Sequence, residues 1–374
     1  MPKLDGLKFF EVHVRADTKW RFLEISDAIG TIGISEIANS DFRICQNLWT
    51  RLDGQIIHSD DDVVKLINSF QNEHVTSKNF TRAMSAIRSA CIDLLARYNN
   101  VSVVEYLCGS FKQDQVEIYA NINRSLLPHD TYIPTRLPKD FARAARSALN
   151  NGFKTIKCAP FDECEAPFAS ETFDKITNIG FQRVAAVRKE IGENINLYVD
   201  CHRRFNQNFA MIVEKALFDM NVIWFEEPCD PLTDEMGSKK IKEQSRILIA
   251  GGEQAYGSEA IRRIYAENIC DVVMPDVCLC GGISEAYQAA LFLENNISGS
   301  VSLHCPSGPV SLMGSAQVMA AIDATRPLEH AVNEIEWRSA ITVPRERFFE
   351  GKLLISDSPG LGISLRHELC VQII

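Results

Sequence analysis

Apolar positions along the chain change rhythm twice. Residues 7–13 (LKFFEVH), 19–25 (KWRFLEI) and 31–37 (TIGISEI) are short β-rich runs in succession, which predicts an antiparallel meander. Arg15 to Lys19 reads as a polar loop between the first two. Residues 60–72 and 79–98 carry helical spacing, with Ile87, Ala90, Cys91, Leu94 and Leu95 on one stripe. Strands followed by helices, segregated along the chain, predict an α+β domain over residues 1–112. From residue 116 the two rhythms alternate. VEIYANI, TIKCAPF, NLYVDCH, VIWFEEP, ILIAGGE, CDVVMPD, VSLHCP and LEHAV read as eight strands, with seven helical stretches between them and no clear helix after the eighth. Repeated βα units call for a parallel sheet, and eight of them for a closed barrel over residues 113–344. Residues 345–374 hold no further βα unit, and PGLGI at 359–363 reads as a turn that returns the tail to the first domain.

The apolar runs end in charged or imidazole side chains. The steps from Asp200 to Glu226, Glu253, Asp276, His304 and Glu329 are 26, 27, 23, 28 and 25 residues. A strand, a helix and their loops need about that length, since a βαβ unit takes roughly 30 residues. One polar residue at the end of each successive strand is how such a barrel builds an active site.

That ladder divides by chemistry. Asp200, Glu226 and Glu253 end three adjacent strands and would repel one another unless compensated. A hard divalent cation resolves this, and Mg2+ takes a few carboxylates while keeping several waters. A carboxylate on one nitrogen of an imidazole raises the basicity of the other, which makes His304 with Asp276 a candidate general base. Extended geometry would point Asp200, His202 and Arg204 to one side, so His202 is expected to face the substrate opposite His304, with Arg204 as an anion contact. Lys157 near the end of the second barrel strand could bind a carboxylate or act as a base. Glu329 on the eighth could contact a substrate carboxylate or support the metal, whereas Glu334 and Glu336 read as surface acids.

Composition narrows the partners. The chain has 374 residues, 46% of them apolar and 24% charged, with a net charge of −10, which argues against a general nucleic-acid binder. Its first residues, MPKLDGLKFF, carry charge where a signal peptide needs an apolar region, and no run reaches the roughly 18 apolar residues of a membrane span. Twelve scattered cysteines, several inside strands, fit reduced thiols in a cytoplasmic protein, and the C-x-C of Cys278 and Cys280 has no second pair at zinc-site spacing. There is no P-loop and no G-x-G-x-x-G between a strand and a helix.

Several motifs together resemble the enolase superfamily, and within it the mandelate racemase-like subgroup: VDCH at 199–202, FEEP at 225–228, GGE at 251–253, MPD at 274–276 with Gly281-Gly282, and LHCP at 303–306. ACIDL at 90–94 and LCGS at 107–110 resemble segments of that family's capping domain. The resemblance implies a modified (β/α)7β barrel under an N-terminal α+β cap, Mg2+ on Asp200, Glu226 and Glu253, a His304–Asp276 base, and a homo-oligomer. Racemases and lactonising enzymes of the superfamily carry K-x-K on the second strand, but here the segment is Lys157-Cys158-Ala159. D-x-H on the third strand resembles acid-sugar dehydratases instead, where that histidine is the acid. The expected reaction is loss of an α-proton to His304 and of the β-hydroxyl, protonated by His202, to give a 2-keto-3-deoxy acid from a small acid sugar. Lys157 and Glu329 are expected to hold the carboxylate end. The 15–20 loop and residues 39–52 are expected to close over the mouth, with Asp17, Lys19, Trp20 and Arg43 as candidate substrate contacts. Racemisation, epimerisation or cycloisomerisation through the same enediolate is the alternative, and a non-catalytic metabolite-binding barrel a more distant one.

Overall fold

The computed structural model describes residues 1–15, 18–38, 42–68, 77–128, 135–165, 170–297, 299–323 and 326–373, and of Ser170 and Glu171 the backbone alone. Strands β1 (Leu4–Arg15), β2 (Thr18–Asp27) and β3 (Ile32–Glu36) form the meander, and helices α1 (Phe42–Trp49), α2 (Asp60–Asn68), α3 (Lys78–Tyr98) and α4 (Val103–Cys108) follow. Both faces of this sheet are covered. Phe9, Leu23 and Ile25 pack with Ile87, Ala90, Cys91 and Leu94 of α3, while Phe10, Val12 and Phe22 join the core shared with the barrel. Alternation along a strand therefore buries residues on either side, which places adjacent apolar residues such as Phe9-Phe10 and Phe22-Leu23 in different cores. Gly33 lets β3 sit directly on α3, because a Cβ there would lie 2.1 Å from the Ala90 carbonyl oxygen.

Of the segment 39–52 expected to close over the mouth, residues 39–41 lie outside the described residues and most of the rest is helical. Phe42–Trp49 is a helix, with Cys45 and Leu48 buried in the N-terminal core. Phe42, Cys45, Leu48 and Trp49 stand at helical spacing, so the signal was present in the chain. The first connection is also shorter than expected, since Arg15 still belongs to β1 and Thr18 already to β2.

The barrel alternates strand and helix: β4 (Gln115–Asn121), α5 (Pro138–Asn150), β5 (Thr155–Cys158), α6 (Ser170–Ile191), β6 (Asn196–Asp200), α7 (Gln207–Asp219), β7 (Trp224–Glu226), α8 (Glu235–Gln244), β8 (Leu248–Gly251), α9 (Ser258–Ala266), β9 (Val272–Val273), α10 (Ile283–Asn296), α11 (Pro309–Ala321) and β10 (Leu328–Ala331). Strands β4 to β9 pair in parallel in chain order. The seventh strand is reduced to a parallel bridge between Val273 and Val301, and β10 closes the ring on β4. This is the (β/α)7β barrel with an N-terminal α+β cap.

The tail has two destinations. β12 (Arg347–Phe349) and β13 (Lys352–Leu354), after the short β11 (Thr342–Val343), form a hairpin whose second strand pairs with β4. Gly360 then bonds Val101 and Val103, β14 (Ser364–Leu365) pairs with β11, and β15 (Val371–Gln372) adds to β1. Asp93, fully buried, accepts from the backbone N–H of Ile34 at 2.8 Å and of Leu361 at 2.6 Å, so one carboxylate ties sheet, helix and tail together.

Candidate active site

The parallel register decides what points into the barrel. Tyr198 is paired with Trp224 and Asp200 with Glu226, so each pair faces the same side, two residues apart. Tyr119, Tyr198, Trp224, Ala250, Val272 and Met274 form an apolar floor, in which Tyr198 stacks on Trp224 at 4.3 Å. The acids sit on that floor at the strand ends: Asp200, Glu226, Glu227, Glu253, Asp276 and Glu329 are all buried.

Lys157 lies beneath them with no exposed surface. Its Nζ is 2.9 Å from both Glu226 oxygens, 2.8 Å from Glu329 Oε1 and 3.8 Å from Asp200 Oδ2. Burial opposes its charge, but Glu226 and Glu329 outweigh it and hold the ammonium well above its ordinary range. Glu329 is equally inaccessible and also accepts from Asn121 Nδ2 at 2.5 Å and from the Cys305 N–H at 2.9 Å. The pair expected to hold a substrate carboxylate is thus an internal ion pair, because both side chains point inward below the strand ends.

The two histidines stand on opposite sides of the mouth, His202 after the third barrel strand and His304 after the seventh. His304 Nδ1 is 2.7 Å from Asp276 Oδ2, and its Nε2 is 2.8 Å from Glu253 Oε2. Burial lowers its affinity for a proton, but Glu253 and Glu329 reverse this and raise it well above the ordinary value. His202 Nδ1 is 2.6 Å from Asp162 Oδ1, and its Nε2 is 3.0 Å from Asp200 Oδ2. Asp200 is the main cause that pushes His202 up to about 11.

Arg204 does not reach the cluster. His202 and Arg203 adopt φ of 46° and 62°, so the segment turns instead of running extended, and the two-residue alternation ends at Asp200. Arg203 meets the acids instead, with Nη1 2.8 Å from Glu227 Oε2 and 3.3 Å from Glu253 Oε1. Arg203, Glu227, Asp162 and Asn121 join the site beyond the residues that the sequence singles out. FEEP offers two adjacent acids for Glu227 and Asn121 ends β4, whereas Arg203 and Asp162 depend on loop geometry.

The donor set fits a hard cation. Six buried carboxylates share the mouth, and among the described residues the permanent cations bonded to them there are Lys157 and Arg203. Burial, and then Asp200, push Glu226 well above the ordinary carboxylate range, which is the cost of acids left without enough positive charge. The closest potential ligand group joins Glu226 and Glu253 with His304, their donor atoms within 4.8 Å of one another. Asp200, expected as the third ligand, instead has its carboxylate turned to His202 and Lys157.

The cap residues divide. Asp17 lies outside the described residues. Lys19 is half-exposed and pairs with Glu11. Trp20 is buried against Trp337, ring centroids 5.9 Å apart, with the Arg338 guanidinium 5.2 Å from its ring. Arg43 is exposed near the start of α1. Glu334 is not a surface acid but is buried and 3.3 Å from Arg15 Nη2, whereas Glu336 is exposed. A cleft of about 870 Å3 lies elsewhere, lined by His330, Glu334, Trp337 and Phe348 and by no member of the acid cluster. All twelve cysteines are free, ten of them buried, and Cys278 and Cys280 bond protein oxygens. Among the described residues no helix is long and apolar enough to cross a membrane.

A barrel with this cap and this ring of strand-end acids defines a class, and comparison with known proteins agrees with it. Residues 140–369 match the family model described as enolase C-terminal domain-like, and the chain belongs to that family, in the enolase superfamily. It is similar to the D-gluconate/D-galactonate dehydratase of Picrophilus torridus, 27% identical over 308 residues, covering 80% of this chain and 72% of that enzyme. It is also similar to the D-gluconate dehydratase of Thermoproteus tenax, 27% identical over 307 residues, but these span 80% of this chain and only 58% of that enzyme's length. A solved structure of an enolase superfamily member from Salmonella Typhimurium superimposes with a TM-score of 0.86 at 19% identity, each chain covered in full at 100%.

Proposed function

We propose that the chain is a Mg2+-dependent acid-sugar dehydratase, converting an aldonate or aldarate to a 2-keto-3-deoxy acid. One relationship carries this reading: two histidines, each with Nδ1 on a carboxylate, face a buried acid cluster from barrel strands three and seven. Strands four apart in a ring of eight are on opposite sides, so one histidine can take a proton while the other gives one. The names of the dehydratases to which the chain is similar support the same chemistry.

A divalent ion on Asp200, Glu226 and Glu253 would supply the positive charge that holds the substrate carboxylate and offsets the negative charge developing there. His304, its Nδ1–H held by Asp276, takes the α-proton at Nε2. His202 gives its proton to the β-hydroxyl, the carbon–oxygen bond breaks, water leaves, and the enol ketonises. Lys157 and Glu329 set the charge beneath the site instead of touching substrate. Ala159, where K-x-K would place a second lysine base, offers no proton acceptor, which favours elimination over racemisation.

A panel of aldonic and aldaric acids with Mg2+, assayed for 2-keto acid with semicarbazide, tests the proposal. Keto acid from at least one substrate is the expected result. Deuterium uptake at the α-carbon in D2O without keto acid would transfer the protein to the epimerase or cycloisomerase reading. Binding without either reaction would make it a metabolite-binding barrel.

A further inference from the structure

We propose that Asp162 is the positioning residue of the acid, forming with His202 a second histidine–carboxylate pair that matches His304–Asp276. This deepens the dehydratase reading and rests on it for its chemical arm. The two pairs share one geometry: Nδ1 lies 2.6 Å from Asp162 Oδ1 in one and 2.7 Å from Asp276 Oδ2 in the other, and both Nε2 atoms turn to the acid cluster.

Asp162 is itself held. Its other oxygen, Oδ2, accepts from Arg136 Nη2 at 3.0 Å, and the same nitrogen bonds the Ala159 carbonyl oxygen at 3.1 Å. Arg183 of α6 reaches the same loop, bonding the Pro160 carbonyl oxygen at 2.8 Å and Glu163 Oε2 at 2.6 Å. The loop that follows the second strand therefore has one free choice removed after another, and its carboxylate is aimed at the ring. That loop begins at Ala159, where a lysine base would stand. The chain lacks the lysine and builds from the next turn a carboxylate that orients an acid on the neighbouring strand.

The orientation matters because the His202 ring sits on a left-handed turn and is half-exposed. Without Asp162, either nitrogen could face the cluster. With it, Nδ1–H stays on Asp162 and Nε2–H is the proton that can pass to the β-hydroxyl. On transfer, the N–H bond breaks, the hydroxyl leaves as water, and His202 remains neutral with Nδ1–H still on Asp162. Solvent returns a proton to Nε2 and removes the one held by His304.

Two measurements test this, one without substrate. A short imidazole-to-carboxylate hydrogen bond places its proton far downfield in the 1H NMR spectrum. A resonance lost in His202→Asn is expected to be lost in Asp162→Asn and kept in Asp276→Asn. Persistence in Asp162→Asn overturns the proposal. In the chemical arm, Asp162→Asn is expected to lower kcat for dehydration about 10- to 100-fold, the usual effect of removing such a partner. KM should change less than about twofold, and α-deuterium exchange through His304 should continue, with partial recovery of dehydration in Asp162→Glu. Equal loss of dehydration and exchange would mean a merely structural role and overturns the proposal. Exchange without keto acid in the wild type would sink the dehydratase reading, and the NMR arm would still decide Asp162.

Discussion

Lys157 Nζ lies 2.8 Å from Glu329 Oε1, and neither residue has any exposed surface. The same ammonium bonds both oxygens of Glu226, so it is the counter-ion of the acid cluster from below. Breaking one partner of a buried ion pair leaves an uncompensated charge and costs about 3–5 kcal/mol. Lys157→Met is expected to lose about that much stability in EDTA, read by urea unfolding, and less in excess Mg2+. A variant as stable as the wild type in EDTA would show that Lys157 carries no such burden.

The two histidines are expected to separate by reaction. His304→Asn should lose both α-deuterium exchange and dehydration, by about 10²–10⁴-fold if a general base is removed. His202→Asn should lose dehydration yet retain exchange. NMR of substrate recovered from D2O distinguishes the two. Exchange that survives in His304→Asn would give the base role to another group.

Metal should stabilise as well as activate. A ligand that binds only the folded state at 100 times its Kd adds about 2.7 kcal/mol. Dialysis against EDTA is expected to abolish turnover and lower Tm, with Mg2+ restoring both. Glu226→Gln should fail to show the Mg2+-dependent rise in Tm, whereas an unchanged response would remove Glu226 from the ligand set.

Glu36, at the end of β3, joins cap to barrel by accepting from the N–H groups of Gly308 (2.6 Å) and Ser311 (3.1 Å) at the start of α11. Burial raises its pKa from 4.5 to about 7 despite those bonds. Below pH 4.5 the folded and unfolded chains both hold the proton. Between about pH 4.5 and 7 only the folded chain does, so the contribution of Glu36 to stability falls as pH rises and is lost above 7. The loss is about 3 kcal/mol, at 1.36 kcal/mol per pKa unit. Glu36→Gln should flatten this decline, and a variant whose urea midpoint keeps the wild-type pH slope would refute it.

Much of the fold is legible in the sequence. A strand must alternate faces and a βα unit needs a nearly fixed length, so the spacing from Asp200 to Glu329 carries the barrel, the order of its strands and the ring of acids at its mouth. The family match and the capped barrel bear out the barrel and the order of its strands. Even α1 was present as a helical stripe at Phe42, Cys45, Leu48 and Trp49.

What only the tertiary structure decided lies beyond the strand ends, where periodicity stops. A left-handed turn at His202 and Arg203 put Arg203 and not Arg204 among the acids. Burial made an internal ion pair of Lys157 and Glu329 and drew Glu334 onto Arg15. Asp162 met His202 across a sequence gap of 40 residues because Arg136 and Arg183 pin the loop between them. Period and length are local properties that a chain displays in its own order. The dihedral angles of a loop, and the charges that must be paired once water is excluded, depend on residues far apart in that order.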